Sequence, residues 1–272
     1  MRILLLLLVV GLGPLFFVRW LEPRFAFFPS AGESTTPSEF GVPFTAVTLT
    51  TADGERLRAW LLKGTDSRAL VVYFHGNGGN LSIWAPIVSD LSRHGFDVLA
   101  FDYRGYGLST GRPTESGVYR DADAVLDYVS TTNTGSQGRP IVYWGRSLGT
   151  AVAAYAASRR RPDGIILEAG FPDARAIVRS SPVLAFLSMF STYRFPTAEH
   201  LAGVDTPALV LHGDADGVIP FALGRALFER LKGDKTFVAI PGGDHNDAKP
   251  VDERVYWGAV DAFTRKIAAR RS

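Results

Sequence analysis

Residues 145–149 read Gly-Arg-Ser-Leu-Gly, and this pattern constrains the fold of the chain more than any other stretch. An apolar run from Pro140 to Trp144 precedes it and predicts a strand, and an Ala-rich run from Thr150 to Ser158 follows it and predicts a helix. A strand, a sharp turn and a helix form the context in which a G-x-S-x-G pattern indicates a reactive serine. Only small residues fit two positions before and after that serine, and they allow a sharp turn directly after the strand. The pattern therefore places Ser147 at the C-terminal edge of a parallel sheet.

The rest of the chain supplies the other strands of such a sheet. An antiparallel hairpin around an Asp-Gly turn is predicted for Phe44–Thr51 and Leu57–Lys63. Continuous apolar runs, typical of strands buried on both faces, are Ala69–Phe74, Phe96–Phe101, Gly164–Ala169, Pro207–Leu211 and Thr236–Ile240. Further helices are predicted for Leu81–His94, Ser116–Ser130 and Val251–Ala269. The alternation predicts an α/β fold with a mostly parallel, eight-stranded sheet and helices on both faces.

The composition narrows the class of protein. The chain has 272 residues, of which 46% are hydrophobic, and this suits one large domain, which we place at residues 44–272. A net charge of +2 is too small to indicate nucleic-acid binding. The chain has no cysteine, which excludes disulfides, thiolate metal sites and a cysteine nucleophile. We expect no metal and no cofactor.

The amino terminus is apolar and uncharged from Ile3 to Val18, with Arg19 and Trp20 after it. At 1.5 Å per residue this run is about 24 Å long, against a hydrocarbon layer of roughly 30 Å. We interpret residues 1–24 as a single-pass membrane anchor and residues 25–43 as a tether. A cleaved signal peptide, which would make the protein secreted or periplasmic, and a buried helix are the alternatives. The sequence does not predict the side of the membrane.

A serine hydroxyl becomes a useful nucleophile when a histidine takes its proton and a carboxylate orients that histidine. In folds that carry serine on such a turn, the partners follow in the order serine, acid, histidine. Three of the five histidines follow Ser147. His200 lies in a predicted surface helix and His212 precedes the candidate acids, so His245, in a glycine-rich loop after the last strand, is the predicted base. The alternative is that His245 is an ordinary exposed loop histidine and the serine pattern a coincidence.

Two carboxylates, Asp214 and Asp216, follow the penultimate strand. We favour Asp216 as the acid because it lies further into the loop, and we expect Asp214 to stabilise the loop.

A glycine-rich loop, His75-Gly-Asn-Gly-Gly-Asn80, follows the strand that ends at Phe74. Acyl transfer builds negative charge on a carbonyl oxygen, and backbone N–H groups aimed at that oxygen stabilise it. We predict that Asn77 in this loop and Leu148 after the serine supply the two donors. A phosphate-binding loop is the alternative, but the G-x-x-x-x-G-K-[ST] pattern is absent. We expect a structural role for His75.

The stretch Asp102 to Ser109 carries an aspartate, an arginine, two tyrosines and two glycines. One interpretation makes Asp102 or Arg104 catalytic. We favour a tight crossing from strand to helix with an internal Asp–Arg pair.

With these motifs in place, the chain resembles the α/β-hydrolases from about Thr45 to Ala268. It is most similar to the membrane-anchored branch with a small lid, on four motifs: His75–Asn80, Asp102–Gly107, Gly145–Gly149 and Gly243–Asp247. Asp244, between the glycines and His245, departs from that branch and adds a second carboxylate near the base. The resemblance implies Ser147, Asp216 and His245 as catalytic residues, Asn77 and Leu148 as oxyanion donors, and esterase or thioesterase activity, in some members on acylated proteins.

Between the strands near Phe171 and Val204 lies an apolar, proline-punctuated stretch. A short cap over about 171–204 and a crossover helix packed on the sheet are both compatible with it. We expect a serine hydrolase acting on carboxylic esters, thioesters, lipids or acylated proteins. The alternatives are a peptidase on the same residues, a non-enzymatic binding protein, and cofactor-free haloperoxidase chemistry.

Overall fold

The computed structural model describes residues 18–20, 22–131, 139–179, 191–247 and 250–270. Nearly all of the predicted membrane segment, and the middle of the predicted cap at 180–190, lie outside these ranges. Within them, the strands are β1 (Phe28–Pro29), β2 (Phe44–Thr50), β3 (Arg56–Leu62), β4 (Ala69–Phe74), β5 (Gly78–Gly79), β6 (Phe96–Phe101), β7 (Ile141–Arg146), β8 (Gly164–Glu168), β9 (Ala208–Gly213) and β10 (Lys235–Ile240). The labelled α-helices are α1 (Leu81–Arg93), α2 (Glu115–Thr131), α3 (Leu148–Arg159), α4 (Ala174–Val178), α5 (Thr197–His200), α6 (Phe221–Arg230) and α7 (Glu253–Ala269). Residues 18–20 and 22–26 are also helical, and Pro37–Phe40 form a short 3-10 helix.

The main sheet has eight strands in the order β10-β9-β8-β7-β4-β6-β3-β2. The hairpin of β2 and β3 is antiparallel, β3 pairs antiparallel with β6, and the remaining neighbours are parallel. The predicted α/β fold with a mostly parallel, eight-stranded sheet is therefore confirmed. Because β4 and β6 to β10 run the same way, their C-terminal ends meet at one edge of the sheet.

Strand β4 shows why the central runs are apolar throughout. All six of its residues are buried. Leu70, Val72 and Phe74 belong to the apolar cluster beneath α2 and α3, whereas Val71 and Tyr73 belong to the cluster beneath α1 and α7. Side chains alternate between the two faces of a strand, so a strand covered by helices on both sides has no position suited to a polar residue.

The segment predicted as a tether is attached to the domain. β1 forms a short parallel pair with β5, and Phe27, which is 3% exposed, packs edge-on against Tyr193 and Phe195. The Glu33 carboxylate accepts hydrogen bonds from Arg58 and Trp60 on β3. Neighbouring Phe25 and Phe28 are exposed.

No helix within the described ranges is both long and apolar enough to cross a membrane. The predicted anchor concerns residues 1–24, most of which lie outside those ranges, so it stays a prediction.

The turn after β6 is structural, but its predicted internal Asp–Arg pair is wrong. Arg104 instead forms ion pairs with Asp121 on α2 and with Asp53 in the hairpin turn, at 2.8 Å each. The Asp102 carboxylate accepts a hydrogen bond of 2.8 Å from the Leu81 N–H at the start of α1. The charge of Arg104 is therefore neutralised by two carboxylates from outside this turn.

Candidate active site

The backbone at Ser147 is strained in the way that the sequence pattern predicts. Ser147 lies between β7 and α3 with φ 54° and ψ −122°, a region that residues other than glycine rarely adopt. A Cβ atom on Gly149 would lie 1.9 Å from the Phe74 carbonyl oxygen, and one on Gly145 would lie 2.4 Å from the Gly149 carbonyl oxygen. The two glycines therefore allow strand and helix to meet closely enough to form this turn.

Ser147, His245 and Asp216 form a hydrogen-bonded row at the C-terminal edge of the sheet. The Ser147 Oγ atom lies 2.9 Å from His245 Nε2, and His245 Nδ1 lies 2.8 Å from Asp216 Oδ2. Ser147 and Asp216 are 7% and 8% exposed. When Nδ1–H donates to the carboxylate, Nε2 carries the lone pair that can accept the serine proton.

Backbone and side-chain donors surround the Asp216 carboxylate. Its Oδ1 atom accepts hydrogen bonds from the N–H groups of Val218 and Ile219, at 2.9 and 2.7 Å. Burial acts to raise the pKa of Asp216, but the hydrogen bonds from His212 and His245 and from the backbone outweigh burial and hold this pKa well below its usual range. Asp216 is therefore ionised at neutral pH and faces His245 as a carboxylate.

His212, excluded above as the base, lies beside the acid. Its Nε2 atom is 2.9 Å from the Ile219 carbonyl oxygen and 3.5 Å from Asp216 Oδ2. Its buried Nδ1 atom has no hydrogen-bond partner among the described residues. A Cβ on Gly224 of α6 would lie 2.1 Å from that atom, so this helix needs a glycine to pack against the imidazole.

Two exposed carboxylates join the loop of the acid to the loop of the base. Asp214 Oδ1 accepts a hydrogen bond of 2.7 Å from the Gly242 N–H, which agrees with its expected stabilising role. Asp244 Oδ1 accepts one of 3.0 Å from the Gly217 N–H. Hydrogen bonds from the backbone N–H groups of Gly217 and His245 lower the pKa of Asp244. Asp244, at which the chain departs from the hydrolase branch that it resembles, thus joins the two loops in this structure.

The glycine-rich loop lies directly against the serine. A Cβ on Gly76 would lie 3.5 Å from the Ser147 Cβ atom. The Asn77 carbonyl oxygen accepts hydrogen bonds from the Phe28 N–H, at 2.9 Å, and from the Tyr106 hydroxyl, at 2.8 Å. Leu148 is the first residue of α3, where a backbone N–H has no partner inside the helix. The predicted oxyanion donors are therefore on the two backbone segments that border Ser147.

Two of the residues considered above lie apart from this row. His75 is fully buried, with its ring 4.3 Å from that of Tyr103 and its Nε2 atom 3.5 Å from Asp102 Oδ1. His200 is half-buried between the edges of Tyr119 and Tyr155.

Sequence analysis missed the role of Arg146, whose only visible signal was its place before the serine. Its guanidinium is buried and donates hydrogen bonds to the carbonyl oxygens of His245 and Asp247, at 2.9 and 2.8 Å. It also borders a cavity of about 60 Å³ beside residues 241–247, which we call the histidine loop. Glu168, Tyr256 and Trp257 line the same cavity. Among the described residues, no group of three or more His, Asp or Glu side chains is arranged to hold a metal ion.

Comparisons with known proteins identify the family. A sequence model described as alpha/beta hydrolase fold matches residues 69–177. An uncharacterized protein of Mycobacterium tuberculosis is 33% identical over 262 residues, which cover 96% of this chain and 93% of that protein. The chain belongs to the alpha/beta hydrolase family. A protein of Saccharomyces cerevisiae named as an uncharacterized membrane protein is 35% identical, over 84% of this hydrolase and 82% of its own length.

Two further comparisons concern proteins with named activities. The lysophosphatidylserine lipase ABHD12 of Macaca fascicularis is 34% identical over 203 residues, which cover 67% of this chain and 48% of that lipase. A Pyrococcus furiosus esterase structure superposes with a TM-score of 0.71 at 20% identity, covering 89% of this chain and 98% of that one. At 20% identity, the structural likeness supports the fold alone.

Proposed function

We propose that this hydrolase cleaves carboxylic esters or thioesters through an acyl-enzyme, with Ser147 as nucleophile, His245 as base and Asp216 as the orienting acid. The observation that carries the proposal is the continuous row of contacts, 2.9 Å from Ser147 Oγ to His245 Nε2 and 2.8 Å from His245 Nδ1 to Asp216 Oδ2. The strained backbone of Ser147 supports it, because such strain persists where the surrounding structure holds it and is concentrated at active sites.

In this proposal the reaction has two steps. His245 Nε2 takes the hydroxyl proton as Ser147 Oγ bonds to the acyl carbon, and His245 then gives that proton to the leaving alcohol or thiol as its bond to the acyl carbon breaks. Water then attacks the acyl-serine with the same histidine as base, which releases the acid and restores the hydroxyl. The N–H groups of Asn77 and Leu148 hold the negative oxygen in both steps, and one such donor is worth about 3–4 kcal/mol.

The proposed substrates are esters with a lipid acyl chain, and acylated proteins as a variant of the same chemistry. The lysophosphatidylserine lipase named above, which is similar over two thirds of this chain, supports a lipid ester. The apolar run Ile3 to Val18 and the yeast relative named as a membrane protein support a location at a membrane. Nothing in the proposed chemistry calls for a cofactor.

The test is covalent labelling of the full-length chain in detergent by a fluorophosphonate, beside hydrolysis of matched ester, thioester and amide series. Wild type should be labelled and should turn over, whereas Ser147→Ala should do neither and His245→Ala should be slowed by orders of magnitude. Ser158→Ala, which changes an exposed serine at the end of α3, should match wild type. A folded wild type that is neither labelled nor active would refute the proposal, and preferential cleavage of amides would favour the peptidase alternative.

A further inference from the structure

We propose that Arg146 is a positioning residue that joins the histidine loop, the serine turn and the glycine-rich loop into one rigid unit. The inference rests on the proposed function, because it concerns how His245 is held in line with Ser147. Arg146 ends β7 directly before the serine, and the residue is 8% exposed.

The first connection runs to the histidine loop. Arg146 Nη2 donates to the carbonyl oxygens of His245 and Asp247, two residues apart, and so holds the backbone that carries the imidazole. Between β7 with its serine turn and residues 243–247, the side-chain hydrogen bonds that the structure records are these two and the Ser147–His245 contact itself. The hydrogen bonds of Asp214 and Asp244 instead join the histidine loop to the loop that carries Asp216. Arg146 is therefore what fixes the base relative to the nucleophile strand.

The second connection runs through Glu168 at the end of β8. Arg146 Nη1 lies 3.7 Å from Glu168 Oε1, while Glu168 Oε2 accepts hydrogen bonds of 3.0 Å from Trp144 Nε1 and from the Tyr256 hydroxyl. The Glu168 carbonyl oxygen accepts the Ser147 N–H at 2.9 Å. Glu168 thus contacts Arg146 with its carboxylate and the serine turn with its backbone carbonyl oxygen. Burial acts to lower the pKa of Arg146, but the electrostatic effects of Glu168, Tyr73, Tyr256 and Asp247 together outweigh burial and raise this pKa.

The third connection runs through Trp84 on α1 to the glycine-rich loop. The guanidinium carbon of Arg146 lies 5.7 Å from the centre of the Trp84 ring, within the range of a cation–π contact. Trp84 Nε1 donates to the Gly78 carbonyl oxygen at 3.2 Å, and the ring lies 3.1 Å from where a Cβ on Gly76 would be. Movement of Arg146 would therefore disturb the support of the loop that carries Asn77.

Arginine suits this role because its planar guanidinium presents several donors in fixed directions, whereas a lysine ammonium is a single point charge on a flexible stem. Glutamine at this position keeps neither the charge nor the reach. The backbone that carries His245 would then lose its hydrogen bonds to residue 146, and the distance from His245 Nε2 to Ser147 Oγ would no longer be fixed by them. Because a misplacement of about 1 Å can cost roughly 10²-fold in rate, we expect the proton-transfer steps to suffer before substrate binding does.

The experiment compares full-length wild type with Arg146→Gln, Arg146→Lys and a matched control, Asp97→Asn. Asp97 is a buried carboxylate at the start of β6, paired with Lys63 and Arg139, at the edge of the sheet opposite to Ser147. The measurements are the fluorophosphonate labelling rate, kcat and KM on a short soluble ester, and Tm. All rates are normalised to the folded fraction.

We expect Arg146→Gln to lower kcat and the labelling rate by about 10- to 100-fold with KM within about twofold of wild type, and Arg146→Lys to recover part of the loss. Asp97→Asn should lower Tm with wild-type kcat. Wild-type kcat in Arg146→Gln, or a change confined to KM, would overturn the inference. If Arg146→Gln does not fold, Arg146→Lys decides: a lower kcat at unchanged KM supports the inference, and wild-type kcat contradicts it. A wild type that is not labelled refutes the proposed function instead, so the two failures are distinguishable.

Discussion

The contact between Gly149 and Phe74 gives a sharp test of how closely the serine turn is packed. A Cβ on residue 149 would lie 1.9 Å from the Phe74 carbonyl oxygen, and α3 or β4 must move by more than about 1 Å before that contact reaches 3.0 Å. We therefore expect Gly149→Ala to destabilise the fold by about 1–3 kcal/mol, as overpacked cores do. At about 2–4 °C per kcal/mol, Tm should fall by roughly 2–12 °C.

The same movement should impair catalysis, because Ser147 directly precedes α3 and lies against the loop that follows β4. A displacement of about 1 Å at the nucleophile corresponds to roughly a 10²-fold loss of kcat, or about 2.7 kcal/mol. The assay is kcat on a soluble ester beside differential scanning fluorimetry, with rates normalised to the folded fraction.

Gly258→Ala is the matched control, because it makes the same substitution in an exposed part of α7 where nothing lies within 4 Å of the new Cβ. Alanine is the better helix former by about 1 kcal/mol, so this variant should gain stability and keep wild-type kcat. Wild-type Tm and kcat in Gly149→Ala would refute the reasoning, since the two backbones would then have room that the structure denies them.

Two further predictions follow from burial and charge. Because the pKa of Asp216 is lowered in the folded state, its stabilising effect is present above its unfolded-state pKa of about 4 and is lost as pH falls toward its folded-state pKa. The Tm of wild type should therefore fall on acidification below about pH 4, and Asp216→Asn should show a lower Tm at pH 7 and a shallower dependence of Tm on acid pH. Parallel curves of Tm against pH for the two proteins would contradict this. Phe27→Ala should lower the free energy of unfolding, measured by chemical denaturation, by about 3–5 kcal/mol because the ring is buried. Phe28→Ala, which changes an exposed ring, should stay within about 0.5 kcal/mol of wild type. Equal losses in the two variants would show that the segment does not pack on the domain.

The sheet was predictable because most of its strands are continuous apolar runs, and such runs indicate strands covered on both faces. The prediction failed where the local signal is weak. β1 and β5 have two residues each, with a proline in one and glycines in the other, and show no periodicity. α6 was not predicted, and its Gly224 lowers helix propensity; the structure shows that this glycine makes room for His212.

In the candidate site, too, some features were predictable from the sequence and others were not. The order of serine, acid and histidine, with a preference for the carboxylate further into its loop, selected Ser147, Asp216 and His245 from residues spread over almost 100 positions, and the structure places the three in contact. A rule of order works here because the strand ends of a parallel sheet share one edge. No comparable rule gives the direction of a side chain. The pairing of Arg104 with Asp53 and Asp121, and the reach of Arg146 to His245, depend on packing between distant elements.

The amino-terminal segment shows how such packing changes a functional interpretation. Residues 18–20 and 22–26 are helical, and the buried Glu22 carboxylate accepts hydrogen bonds from the Thr192 hydroxyl, at 2.6 Å, and from the Tyr193 N–H, at 3.2 Å. Glu115 of α2 holds the next residues, accepting the N–H groups of Arg194 and Phe195 at 2.7 and 2.8 Å. Two carboxylates, from Glu22 and Glu115, thus fix residues 192–195. If the run from Ile3 to Val18 spans a bilayer, as the sequence predicts, the helical residues 22–26 that follow it are held to the domain through Glu22. The chain is then docked on residues 192–193 before the predicted tether at 25–43 begins.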